Sequence, residues 1–119
     1  MSEADLSKLS ARVLRTRRRK CIERLPPLES LLRGSVIERY KRCGNAGCHC
    51  QQGRGHGPKY YLSVSYPKSR PKMIYVPGAS LGSVQESLGK YSQAGELLKK
   101  ICAINLELLR RHEPFEELP

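Results

Sequence analysis

Lys59 to Tyr66 reads KYYLSVSY. Tyr60, Leu62, Val64 and Tyr66 fall on one side of an extended chain, and Tyr61, Ser63 and Ser65 on the other. Side chains of a strand alternate between faces, so this period of two predicts a half-buried β-strand. Working outward, Pro67-Lys68-Ser69-Arg70-Pro71 has turn chemistry, and KMIYV from Lys72 to Val76 reads as another strand, stopped by Pro77-Gly78. Upstream, SVIERYKR from Ser35 to Arg42 sets Val36, Glu38 and Tyr40 against Ile37, Arg39 and Lys41. Three consecutive strands joined this way predict an antiparallel meander with one apolar face that must be covered.

The expected cover is a helix from Leu81 to about Arg111, started by Ser80 or Ser83. Val84, Leu88, Tyr91, Ala94, Leu97, Leu98, Ile101, Ile104 and Leu108 recur in it at three- and four-residue steps. At 1.5 Å per residue such a helix extends roughly 45 Å, more than three strands need. Its distal half, Leu97 to Leu109, is therefore expected to pack on another helix or on a second copy of the chain. Residues 1–24 supply a candidate helix, with Leu6, Leu9, Val13 and Leu14 as its apolar stripe and Ser2 or Asp5 as its cap. Leu25-Pro26-Pro27 ends it, and Leu28, Leu31 and Leu32 fit one or two helical turns after the prolines. The organisation expected is a basic N-terminal helix over 1–24, a meander with the start of its covering helix over 25–96, and the distal helix and tail over 97–119.

Arg42 to Tyr61, RCGNAGCHCQQGRGHGPKYY, joins the first two strands. It has no apolar run to fix its shape, and its glycines make it costly to order. Cys43, Cys48, Cys50 and His56 have the spacing C-x4-C-x-C-x5-H. Three thiolates and an imidazole suit a closed tetrahedral zinc site, whose binding energy becomes folding energy. His49 competes with His56 for the fourth position, and reduced, unliganded thiols are the bland alternative. A 4Fe-4S centre would need one histidine ligand. Cys21 and Cys102 read as apolar packing residues. The fold class expected is thus α+β: an N-terminal helix, a three-stranded antiparallel meander with a zinc-closed loop between strands one and two, and a long C-terminal helix.

The formal charge of +11 is unevenly spread. Residues 1–42 carry 12 basic and 5 acidic side chains, 43–77 carry 5 and none, and 78–119 carry 5 and 6. A field concentrated in the first two thirds favours a polyanion: DNA, RNA or an acidic membrane surface. Arg15, Arg17, Arg18, Arg19 and Lys20 are candidates for phosphate contact or a solvated helix face. Lys41, Arg42, Arg54 and Lys59 surround the cysteine-rich stretch and are candidates for the same contact. Tyr60 and Tyr66 read as core; Tyr61 and Tyr75, interleaved with cations, are open to stacking on bases. No apolar run approaches membrane-spanning length and the N-terminus lacks a leader-like apolar segment, so a cytoplasmic protein with reduced thiols is expected.

No Asp or Glu occurs between Glu38 and Glu86. A metal-dependent hydrolase of ordinary type needs a carboxylate near its metal, so an enzyme is not expected. A histidine base beside a three-cysteine zinc would be the exception. Two functions remain. One is a non-enzymatic, zinc-stabilised module that binds DNA or RNA. The other is a protein-interaction or oligomerisation subunit working through its long C-terminal helix as a homodimer or on a partner protein.

R-G-S-x-x-E-R-Y from Arg33 to Tyr40, C-G-x-x-x-C-x-C from Cys43 to Cys50 and H-G-P-x-x-Y-L from His56 to Leu62 add a further indication. In these motifs the chain resembles an uncharacterised family of small bacterial Cys-rich proteins that are often encoded near transposase genes. The resemblance extends from Leu25 to Arg111. It marks Arg33, Gly34, Glu38, Arg39, Tyr40, Cys43, Cys48, Cys50, His56, Gly57, Pro58, Tyr61 and Leu62 as matching positions. It implies a mobile-element context, as an accessory or regulatory protein, and no particular activity.

Overall fold

A computed structural model of the chain describes residues 6–41, 44, 45, 47, 53 and 55–116. The fold is α+β: helix α1 (Ala11–Glu23), strands β1 (Ser35–Lys41), β2 (His56–Val64) and β3 (Lys72–Val76), and helix α2 (Leu81–Arg110). Short 3-10 turns occupy Leu28–Ser30 and Gly78–Ser80. The chain divides into two compact units, Met1–Ser30 with Lys90–Pro119, and Leu31–Gly89.

In the first unit, Ser10 caps α1, its hydroxyl accepting from the Val13 amide at 3.2 Å. The helix thus begins at Ala11; the caps expected at Ser2 and Asp5 lie outside the described residues. Thirteen residues are a marginal length for a helix alone, so packing must hold this one. Leu14, fully buried, packs with Leu6, Ile104 and Leu108, flanked by Leu9, Ala11 and Ala103. The distal half of α2 therefore lies on α1, one of its two expected partners. Val13 of the expected stripe is exposed. On α2, Ala94, Leu97, Ile104 and Leu108 are buried, whereas Tyr91, Leu98 and Cys102 are exposed. A stripe read at steps of three and four is wider than the contact a single partner helix makes, so one edge stays open.

Glu107 is 9% exposed and closes this unit ionically. Arg110 Nε donates to its Oε2 at 2.9 Å and Arg111 Nε at 3.0 Å, while Arg111 Nη2 donates to the Leu6 carbonyl at 2.9 Å. The hydrogen bond from Arg110, reinforced by that from Arg111, outweighs burial and holds the Glu107 carboxyl below its ordinary pKa.

In the second unit the strands form one antiparallel sheet in the order β1-β2-β3. Val36 faces Leu62, which faces Ile74, and Tyr60 faces Val76. Leu62, Val64 and Val76 form the core of this side, covered by Leu32, Tyr60, Leu81, Val84 and Leu88. Two glycines of the sequence motifs are sterically required here. Gly34 (φ +136°) would place a Cβ 2.7 Å from the Ser63 carbonyl, and Gly57 (φ +145°) one 2.8 Å from the Arg39 carbonyl.

β2 starts and ends earlier than the alternation suggested. Its pairing begins at His56, opposite Lys41, and stops at Val64. Tyr66, expected in the core, lies beyond the strand and is 42% exposed. The Arg33 guanidinium and the Lys72 ammonium approach its ring at 5.1 and 5.4 Å from the centroid. The period of two continues past the residue where β3 ceases to pair, so alternation alone could not place the end.

Candidate nucleic-acid interface

Strand register decides what the second face of the sheet displays. Ile37, Tyr61 and Tyr75 lie side by side across the three strands, with Arg39 opposite Lys59 in the next row and Ser35, Ser63 and Met73 in the row on the other side. Among the described residues, the core-forming side chains all belong to the opposite face. Tyr61 and Tyr75 meet edge to face with centroids 5.7 Å apart. The Arg39 guanidinium lies 5.8 Å from the Tyr61 centroid, within cation–π range. Tyr75 is 54% exposed, and Arg39 and Lys59 are exposed. This face therefore combines aromatic rings with positive charge.

The first unit carries a second basic feature. A groove of about 210 Å³ has Leu6, Cys21, Ala103 and Ile104 as its apolar lining and Arg17, Lys20, Arg24 and Lys100 as its charged one. Among the described residues, no carboxylate lines it. Lys100 arrives there from α2, Arg17 and Lys20 from α1, and Arg24 from the C-cap of α1.

The basic run of α1 has two kinds of member. Arg18 Nη1 donates to Asn105 Oδ1 at 2.7 Å, and Arg15 Nη2 donates to the Pro114 carbonyl at 2.8 Å with the Glu113 carboxylate 3.7 Å away. Arg18 thus ties α1 to α2, and Arg15 ties it to the segment that follows α2. Arg17 lines the groove with Lys20, and Arg19 is exposed. Lys41 is exposed at the end of β1. Arg42 and Arg54 lie outside the described residues, as do Cys43, Cys48, His49 and Cys50. His56 is exposed as the first residue of β2. Among the described residues, no three His, Cys, Asp or Glu side chains form a group that could hold a metal ion.

A family model described as a domain of unknown function, DUF6788, matches residues 11–86. The chain belongs to this family. The DUF6788 match begins at the first residue of α1, takes in the whole sheet and ends inside α2, so it contains every residue of the aromatic sheet face and all of the groove's cations except Lys100. No curated protein and no solved structure matches the chain.

The sequence reading offers neither Arg24 nor Lys100 as a candidate contact, and names Arg39 only as a strand and motif position. Arg39 stands within the R-G-S-x-x-E-R-Y motif and faces the open side by simple alternation, so it was legible. Lys100 lies in the segment with nearly balanced charge, and only the packing of α2 on α1 puts it beside Lys20 and Arg24. Among the described residues, no helix is long and apolar enough to cross a membrane.

Proposed function

We propose that this chain is a non-enzymatic nucleic-acid-binding module, stabilised by zinc, that serves a mobile element as an accessory or regulatory protein. The observation that carries the reading is the groove where Arg17, Lys20, Arg24 and Lys100 converge from two helices with no carboxylate among its described lining. A solvated helix face needs no such convergence from distant parts of the chain, whereas a phosphate backbone is bound by it. Lys41, Arg42, Arg54 and Lys59 would be further phosphate contacts belonging to the second unit, and Arg19 one on α1. Arg15 and Arg18 act mainly by holding α1 in place.

The zinc would be held by Cys43, Cys48 and Cys50 with His56 or His49. Lys41 and His56 pair across β1 and β2, so the chain leaves the sheet and returns to it at one place. Cys43 follows Lys41 by two residues in sequence. Such a short span between the ends suits a closed structural site. The mobile-element role rests on the resemblance in the three motifs.

Fluorescence anisotropy with labelled random-sequence strands and duplexes tests the reading. Reversing charge at Lys20, Arg24 and Lys100 together is expected to weaken binding by about tenfold or more and to flatten its salt dependence. Binding unchanged by this triple substitution would contradict it.

The second reading is a protein-interaction subunit. It is favoured by Tyr91, Leu98, Cys102, Leu106 and Leu109, all exposed along one side of α2. Light scattering across a dilution series checks it: a dimer mass that Leu98→Glu reduces to the monomer supports helix-mediated assembly, and a monomer mass throughout contradicts it.

A further inference from the structure

We propose that the open face of the sheet binds single-stranded nucleic acid by stacking bases on Tyr75 and Tyr61, with Arg39 and Lys59 holding the adjoining phosphates. This narrows the nucleic-acid reading above and rests on it. The two tyrosines are neighbours across β2 and β3, and the cations form the next row of the same face, on β1 and β2. Rows on one face of a strand are two residues apart, or roughly 7 Å. A row of rings thus adjoins a row of charges on one face, matching the neighbouring bases and phosphates of a strand.

The chemistry of this face selects among occupants. An apolar protein surface would bury the charges of Arg39 and Lys59 with no anion against them, which is costly. A duplex keeps its bases stacked inside, offering only their edges and its phosphates, so an exposed ring has nothing to stack on. An unpaired strand offers both base faces and phosphates, and aromatic stacking on it is tolerant of sequence. Tyr75 is 54% exposed while making only an edge contact with Tyr61, which leaves much of its ring uncovered. No acidic residue occurs between Glu38 and Glu86, and Glu38 lies on the covered side, in line with Tyr60, and accepts a hydrogen bond from the Tyr40 hydroxyl at 3.0 Å.

A cross-strand tyrosine pair also stabilises a sheet, so the test must separate stability from binding. The probes are a labelled single strand of about 20 nucleotides, longer than one such sheet needs, and the duplex of the same sequence. Tyr75→Ala is expected to weaken single-strand binding about tenfold while leaving duplex binding near wild type, and Tyr75→Phe, which keeps the ring, to restore it. Thermal melts of Tyr75→Leu, which keeps an apolar side chain on the strand, show whether the fold survives loss of the ring. Trp is absent, so emission comes from the six tyrosines, and the quenching by the strand that Tyr75→Phe removes reports on this ring. Equal losses on strand and duplex, or Phe and Ala variants behaving alike, would overturn the proposal. Wild-type binding to duplex with none to the single strand would overturn it too, yet leave the broader nucleic-acid reading standing. Binding to neither would end both.

Discussion

Tyr61 on β2 stands directly opposite Tyr75 on β3, and the two rings meet edge to face at 5.7 Å on the side of the sheet away from the core. One residue along, Leu62 and Val76 point the other way, into that core. The same strands therefore build the second unit with one face and display aromatic and basic groups with the other. The proposed binding face and the core thus fall on opposite parities of position.

The first unit rests on Leu14. It is fully buried between Leu6, Ile104 and Leu108, so Leu14→Ala should leave a cavity in the apolar contact that holds a short helix. A loss of about 2–5 kcal/mol, or on the order of 10 °C in melting midpoint, is expected by thermal denaturation. A shift of a degree or less would mean that α1 is held by something other than this packing.

Glycine substitutions should have opposite signs in different elements. Gly34→Ala forces a positive φ on a residue whose new Cβ meets a carbonyl at 2.7 Å, and should cost about 1–3 kcal/mol. Gly89→Ala in α2 meets nothing within 4 Å and should stabilise by about 0.5–1 kcal/mol. Chemical denaturation of both variants reads the two signs side by side.

The Glu107 carboxyl titrates below its ordinary range because Arg110 and Arg111 bond its charged form. A group with a depressed folded pKa contributes stability above its unfolded pKa and loses it as pH falls through the folded one. Glu107→Gln should therefore lose less stability than wild type between about pH 6 and about pH 3. Parallel pH dependences of the two melting midpoints would show that the two arginines do not bind the charged form more strongly.

Metal content addresses the cysteine-rich stretch. Purified protein is expected to hold one zinc per chain by elemental analysis, and Cys48→Ser to lose most of it. His56→Ala and His49→Ala then identify the fourth ligand by which one releases the metal. Wild-type protein free of zinc when purified without chelators would remove the metal from the account.

How far the chain could be read in advance followed its physics. The alternation of Tyr60, Leu62 and Val64 was visible because one face of the sheet is buried and the other is not. The ends of β2 were not, because pairing is set by the length of β1 and β3, and the period continued to Tyr66. On α2 the buried Leu97 and exposed Leu98 are adjacent in sequence, and only tertiary packing decides between them. The groove was invisible for the same reason: Lys100 joins Lys20 and Arg24 through packing. Arg39, Lys59, Tyr61 and Tyr75 could be placed on one face by parity alone, once the strands were in register.

Salt dependence of binding tests the nucleic-acid reading most directly. The affinity of a labelled single strand, measured by anisotropy from about 50 to about 200 mM salt, should fall steeply, with log K linear in log salt. A slope equivalent to several neutralised phosphates, reduced by reversing Lys20, Arg24 and Lys100, is the predicted result. Affinity that does not change with salt, or no binding of either the single strand or its duplex at the lowest salt, would contradict it.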